Sequence, residues 1–274
     1  MSGRGVVAVL SGGGAKAAAH IGAVRALLES DLRPSRYIAT SMGAVVAAGF
    51  AAGLGPDEVL DRFVQAGGIG IARSPLAALG SLHLSALMRP APLRRAMERF
   101  IPARSFSDLR MPLTVTATDL DSGERVLFGA GGRDVPLADA LMASCALPLF
   151  YPPVIIAGRR MGDGGLRGVL PLEIVPLDAD CVVAVDIGPG FDELEGGSSP
   201  YPPLLRAHSD ATGILMAAHT VMELELWRAG TSRPPLLYVR PAVERNATFR
   251  VDRARTYAAE GYRATRVVLG NAGS

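Results

Sequence analysis

An α/β fold built on a parallel sheet is what this sequence predicts, and three observations predict it. Short apolar runs next to glycine-rich turns read as strands buried on both faces, and helical patterns of Ala, Val, Ile and Leu follow them. This strand–turn–helix rhythm occurs twice within residues 6–52, the order of a βαβα unit. The 274 residues are 49% hydrophobic and 20% charged, so the core can be large and the chain is not disordered. Aromatics supply only 5%, which leaves Ala, Val, Leu and Ile to build that core.

The elements follow in order. Val6 to Leu10 is an apolar strand, and after Gly12-Gly13-Gly14 the run from Ala15 to Ser30 has the spacing of a helix packed on a sheet. Tyr37 to Thr40 is a second strand, Ser41-Met42 a sharp turn, and Gly43 to Ala52 the next helix. Pro56 to Ala66 forms a helix. Residues 67–100 then read as an insertion or cap: weakly periodic Gly, Ala, Leu and Ser, ending in a basic amphipathic helix over Pro92 to Phe100 with Arg94, Arg95 and Arg99.

Pro112 to Thr118 and Arg125 to Phe128 are strands joined by the turn Asp121-Ser122-Gly123. Leu137 to Ala143 is a helix, and Val154 to Ala157 and Cys181 to Ile187 are further strands. Gly188 to Pro203 has the composition of a mobile loop. His208 to Arg228, Leu236 to Val239 and Val251 to Leu269 read as helix, strand and closing helix. No composition shift divides the chain, so residues 1–274 read as one domain.

Composition excludes several classes of function. The net charge is +2 and Arg is scattered among Asp and Glu, so there is no basic footprint for nucleic acid. Cys145 and Cys181 are too few for a disulfide framework and read as buried free thiols. The chain opens directly into a strand pattern, and its most apolar helix, Ala44 to Ala52, is far short of the ~20 residues of a membrane span. The expectation is a cytoplasmic protein, with peripheral contact at a membrane surface left open. Lys16, the one lysine, lies inside the glycine-rich loop.

Acyl transfer by serine needs an exposed hydroxyl, a base and donors for the oxyanion. Ser41, in Ala39-Thr40-Ser41-Met42-Gly43, sits at a strand-to-helix turn, where a strained backbone lifts the hydroxyl above the sheet. The competing reading is a helix N-cap. Gly12-Gly13-Gly14-Ala15-Lys16, between a strand and a helix, leaves N–H groups to converge on an oxyanion or a phosphate. It lacks the Ser or Thr of a Walker loop. The second strand ends in Ser41, where a dinucleotide fold places its ribose carboxylate.

Asp163, in Met161-Gly162-Asp163-Gly164-Gly165, is the candidate base, and a plain turn is its alternative. A dry pocket would have to raise its pKa for that task. Of the four histidines, His20, His83, His208 and His219, only the last two fit the Ser–Asp–His order of an α/β-hydrolase. Those enzymes place more strands before the elbow than this chain does. A triad is the weaker reading.

Together the segments SGGGAKAAAHIGAVRALLES, ATSMGAVVAAGFAAG, PLTVTATDLDSGERVLF, ADALMASCALPLFYPPV and MGDGGLRGVLP resemble, in that order, the bacterial patatin-like phospholipases, relatives of the neuropathy-target esterases. The similarity spans roughly residues 6–190. It implies a three-layer α/β/α sandwich with a mostly parallel central sheet, and hydrolysis of phospholipid or lysophospholipid acyl esters without a cofactor. It also implies a catalytic dyad at Ser41 and Asp163, and an oxyanion hole at Gly12, Gly13 and Gly14 with Lys16 as the basic residue beside it. Ala39 and Ala17 depart from the family's usual glycines. Two other classes fit the same residues: a lipid acyltransferase, and an inactive lipid-binding or regulatory protein.

Overall fold

The computed structural model describes residues 5–70, 90–191, 203–244 and 250–272. Among them is one eight-stranded sheet. Five strands run parallel and side by side: β3 (Leu113–Asp119), β2 (Pro34–Thr40), β1 (Val6–Leu10), β7 (Cys181–Val185) and β8 (Leu236–Val239). The other three are antiparallel: β4 (Arg125–Gly129) and β6 (Arg159–Asp163) on β3, and β5 (Val154–Ile156) on β6.

The apolar strands alternate between two cores, as a period of two requires. Ala8, Leu10, Ala39 and Val183 face one side, where they meet residues of α1 (Ala18–Leu28), α2 (Met42–Ala51), α5 (Leu137–Ser144) and α7 (Ala254–Ala272). Val7, Val9, Ile38 and Val182 face the other, where Leu224 and Trp227 of α6 (Pro203–Ala229) cover them. Helices therefore lie on both faces, which is the expected three-layer α/β/α sandwich. Crossing α1 and α7 touch backbone to backbone: a Cβ on Gly22 would lie 1.7 Å from the Ala258 carbonyl oxygen. Ala17 and Ala39 are fully buried and pack in the first core, so their methyl groups are accommodated.

Several boundaries differ from expectation. The helix α3 (Pro56–Gly70) runs past Ala66, and α4 (Pro90–Phe100) starts two residues early. The rest of the suggested cap, residues 71–89, and most of the suggested mobile loop, residues 192–202, lie outside the described residues. Asp163 closes a strand instead of lying in a simple turn. Arg-Arg-Met-Gly-Asp has no strand alternation, and its extended form comes from pairing with β3 and β5. No helix among the described residues is long and apolar enough to cross a membrane.

Candidate active site

One edge of β3 serves two strands. β2 pairs with its first half and ends with Thr40 opposite Thr116; β6 runs in from the other direction and ends with Asp163 opposite Ala117. β4 holds the opposite edge, pairing with both Thr116 and Ala117. The strand ends carrying Ser41 and Asp163 thus meet head to head. The threonines beneath them are joined, Thr40 Oγ1 to Thr116 Oγ1 at 2.7 Å, and Thr118 Oγ1 donates to the Asp163 carbonyl at 2.9 Å.

Ser41 has φ 54° and ψ −133°, a conformation costly for a residue with a side chain. Its hydroxyl makes no capping bond to α2 and instead donates to Asp163 Oδ2 at 2.7 Å. The N-cap alternative therefore does not describe this side chain. Gly43 explains how the turn closes: a Cβ there would lie 2.3 Å from the Ser11 carbonyl oxygen, so only glycine lets α2 start against the end of β1.

Asp163 is buried, and its other oxygen, Oδ1, accepts the Gly165 N–H at 2.7 Å. Burial pushes its pKa up to about 6, against the opposing pull of the bonds from Ser41 and Gly165. That brings the carboxylate towards the range in which a base serves a neutral solution. Beside it Cys145 is buried, and burial together with the Asp163 charge pushes its thiol pKa up. Cys181, also expected to be buried, is only half-buried at the start of β7.

Gly12 to Gly14 lie against this pair, with a Cβ on Gly12 placed 3.2 Å from the Ser41 Cβ. The Gly12 N–H donates to the Val169 carbonyl at 3.3 Å, whereas those of Gly13 and Gly14 make no hydrogen bond among the described residues. The available donors are therefore Gly13 and Gly14, and Gly12 supplies close approach. Lys16 is buried in the following turn and is not among the residues that line the cavity.

None of the described histidines bonds to Ser41 or Asp163. His20 is fully buried with Nε2 2.8 Å from the Ser11 carbonyl oxygen, and burial pulls its pKa down to about 4. It is a neutral donor that steadies the residue before the glycine loop. His208 contacts Thr212, and His219 lies 3.9 Å from Glu223. His83 lies outside the described residues.

Sequence reasoning assigned no role to two groups of residues. Ser144 Oγ accepts the Ser41 N–H at 2.7 Å, and the Ala146 carbonyl accepts the Asp163 N–H at 3.0 Å. Behind the glycine loop, buried Asp186 accepts from Tyr238 Oη at 2.8 Å and pairs with Arg240 at 3.1 Å, which joins the ends of β7 and β8. Its one sequence signal is a carboxylate inside the apolar run from Cys181 to Ile187, and the strand itself ends one residue before it, at Val185.

Above the Ser41–Asp163 pair opens a cavity of about 200 Å³. Gly13, Gly14, Ser41 and Asp163 line it together with Phe63, Leu93, Met97 and Phe100 of α3 and α4. Phe63 and Phe100 meet edge to face with centroids 6.5 Å apart. Arg94 is bound to Asp139 of α5 at 2.6 Å and is partly exposed, whereas Arg95 and Arg99 of the same helix are exposed. A serine–carboxylate pair opening into an apolar cavity can transfer the acyl group of a hydrophobic ester.

The sequence model described as patatin-like phospholipase matches residues 8–176. An uncharacterised NTE family protein of Mycobacterium tuberculosis is 33% identical over 184 residues, 66% of this chain and 49% of the relative. The human omega-hydroxyceramide transacylase is 34% identical over 170 residues, 59% of this chain and 30% of that protein. The chain spans about half the length of the mycobacterial relative, and less of the human one. The crystal structure of VipD from Legionella pneumophila shares the fold, with a TM-score of 0.51 at 15% identity over 97% of this chain and 67% of that one. With the family match spanning more than half of its residues, the chain belongs to the patatin-like phospholipase family.

Proposed function

We propose that this protein hydrolyses acyl esters of lipids, with the selectivity of a phospholipase A or lysophospholipase, through an acyl-enzyme on Ser41. The observation that carries this reading is the 2.7 Å bond from Ser41 Oγ to a buried Asp163 in the wall of an apolar cavity. Asp163 takes the Ser41 proton as Oγ attacks the ester carbonyl. The N–H groups of Gly13 and Gly14 receive the oxyanion, near the positive end of the helical segment that begins at Gly14. The alcohol leaves with the proton from Asp163, and water then releases the fatty acid by the same steps in reverse. The chemistry uses no cofactor. Residues 1–274 act as one domain in this reading, and the segment 67–100 meets the lipid surface.

The test is labelling by a fluorophosphonate probe of wild type, Ser41→Ala and Asp163→Asn, followed by a lipid-ester panel. Wild type is labelled, Ser41→Ala is not, and Asp163→Asn reacts far more slowly. Labelling that survives Ser41→Ala rejects the nucleophile. Folded wild type that is never labelled, even in detergent, supports the non-catalytic lipid-binding reading. The name of the human relative adds one arm: a lipid alcohol is offered beside water, and a product dominated by the new ester assigns acyl transfer in place of hydrolysis.

A further inference from the structure

The last residue of α5 and the turn after it hold both members of the dyad by their own backbones. Ser144 and Ala146 are two residues apart; one accepts the N–H of Ser41 and the other the N–H of Asp163. The sheet register explains why outside partners are needed. A parallel ladder from β2 would run on past Thr116, but that edge of β3 is occupied at Ala117 by Asp163. Nor can α2 help, because the first N–H groups of a helix have no partner within it. Ser41 therefore sits between two ladders, in a strained conformation that persists only where its surroundings over-determine it.

Ser144 is fully buried and is not part of the cavity wall, so it acts on Ser41 and not on a substrate. Its own position is firm. Cys145 N–H bonds to the Leu141 carbonyl at 3.0 Å, and Leu147 N–H closes a tight turn on the Cys145 carbonyl at 2.8 Å.

We propose that Ser144 is a positioning residue: by accepting the Ser41 N–H it fixes the turn that aims Oγ at Asp163, and with Ala146 it sets the separation of nucleophile and base. This rests on the reading of Ser41 and Asp163 as nucleophile and base. The simpler possibility is that Ser144 only satisfies a buried donor and serves stability alone.

The full chain is compared as wild type, Ser144→Ala and Ser144→Thr for turnover of a soluble short-chain p-nitrophenyl ester, fluorophosphonate labelling rate and thermal unfolding. Loss of the acceptor lowers kcat and the labelling rate together by about ten- to a hundredfold, the scale of a small misplacement at the reacting atoms. KM stays within about twofold, since no substrate contact is removed. Ser144→Thr keeps the hydroxyl and restores most of the rate.

The pH profile gives a second readout. Asp163 faces the Ser41 hydroxyl, the Gly165 N–H and the Cys145 thiol, and the Ser41 bond is one of the two that hold its pKa down. When that bond loosens in Ser144→Ala, the acid limb moves to higher pH. A residue that serves stability alone would lower the unfolding temperature and leave kcat, KM and the acid limb in place.

If Ser144→Ala does not fold, Ser144→Cys, which keeps the shape and weakens the acceptor, takes its place. A folded variant with kcat and labelling rate within about twofold of wild type overturns the proposal. Failure of the hydrolase reading looks different: wild type is unlabelled, or Ser41→Ala still reacts.

Discussion

Thr40 and Asp163 stand at consecutive positions along one edge of β3, opposite Thr116 and Ala117. They are far apart in sequence, and their strands arrive from opposite directions. That register places the residue after Thr40 directly against the end of β6. The Ser41–Asp163 contact is therefore set by backbone ladders on a shared strand, a far stiffer frame than two flexible loops.

The activity should follow the ionisation of Asp163. Burial holds its pKa near 6, and the base works ionised, so kcat/KM should climb with pH and be half-maximal near that value. A rate constant independent of pH between about 4 and 8 would remove Asp163 as the base.

Stability should follow the same group with the opposite sign. The native pKa lies above the ordinary value of 3.8, so the folded state binds the proton more tightly. The resulting stabilisation is fully present below that ordinary value and is lost as pH rises through about 6; its full size is about 3 kcal/mol. Above neutral pH an ionised Asp163 is a net burden, and Asp163→Asn should unfold at a higher temperature than wild type while losing activity. Equal melting temperatures at pH 8 would show that the buried charge is compensated.

The backbone strain at Ser41 should be measurable by comparing two inactive variants. Ser41→Ala and Ser41→Gly both lose the bond to Asp163, but only glycine relieves the φ of 54°. Ser41→Gly should therefore be the more stable, by about 1–3 kcal/mol less the entropy glycine adds to the unfolded chain. Identical denaturant midpoints would mean that the turn stores no strain.

Gly43→Ala should damage the site without removing any reacting group. Its methyl would meet the carbonyl oxygens of Ser11 and Leu10 at 2.3 and 2.8 Å, so α2 or the end of β1 must shift. A displacement on this scale next to the nucleophile should lower kcat by about a hundredfold and destabilise the fold. Wild-type kcat in the folded variant would show that the elbow has slack.

The depth of the cavity should be read by chain length. Ala96 lies on α4 in the cavity wall, and Ala96→Phe would fill space beside Met97 and Phe100. The variant should lose about tenfold or more in kcat/KM on long-chain esters and little on butyrate esters, since each excluded methylene forfeits about 0.8 kcal/mol. A uniform loss across chain lengths would place the acyl chain elsewhere.

The sequence by itself determined the alternation of strands and helices, because short apolar runs bounded by turn residues and helical spacing are local properties of the chain. It also singled out Ser41, Asp163 and the glycine loop as candidates, because a serine flanked by small residues at a strand end and glycines before a helix are readable in a single segment. What only the tertiary structure decided depended on partners far away in the chain. The strand from Arg159 to Asp163 exists because β3 offers it an edge. Gly12 is withdrawn as a donor by Val169, and Arg94 is tied to Asp139 of another helix. The brace from Ser144 and Ala146 carries no local mark either: a buried serine near a helix end looks the same in sequence whether it bonds its own helix or the nucleophile of another. Hydrogen bonds between distant segments are fixed by register, and register emerges only when the sheet is assembled.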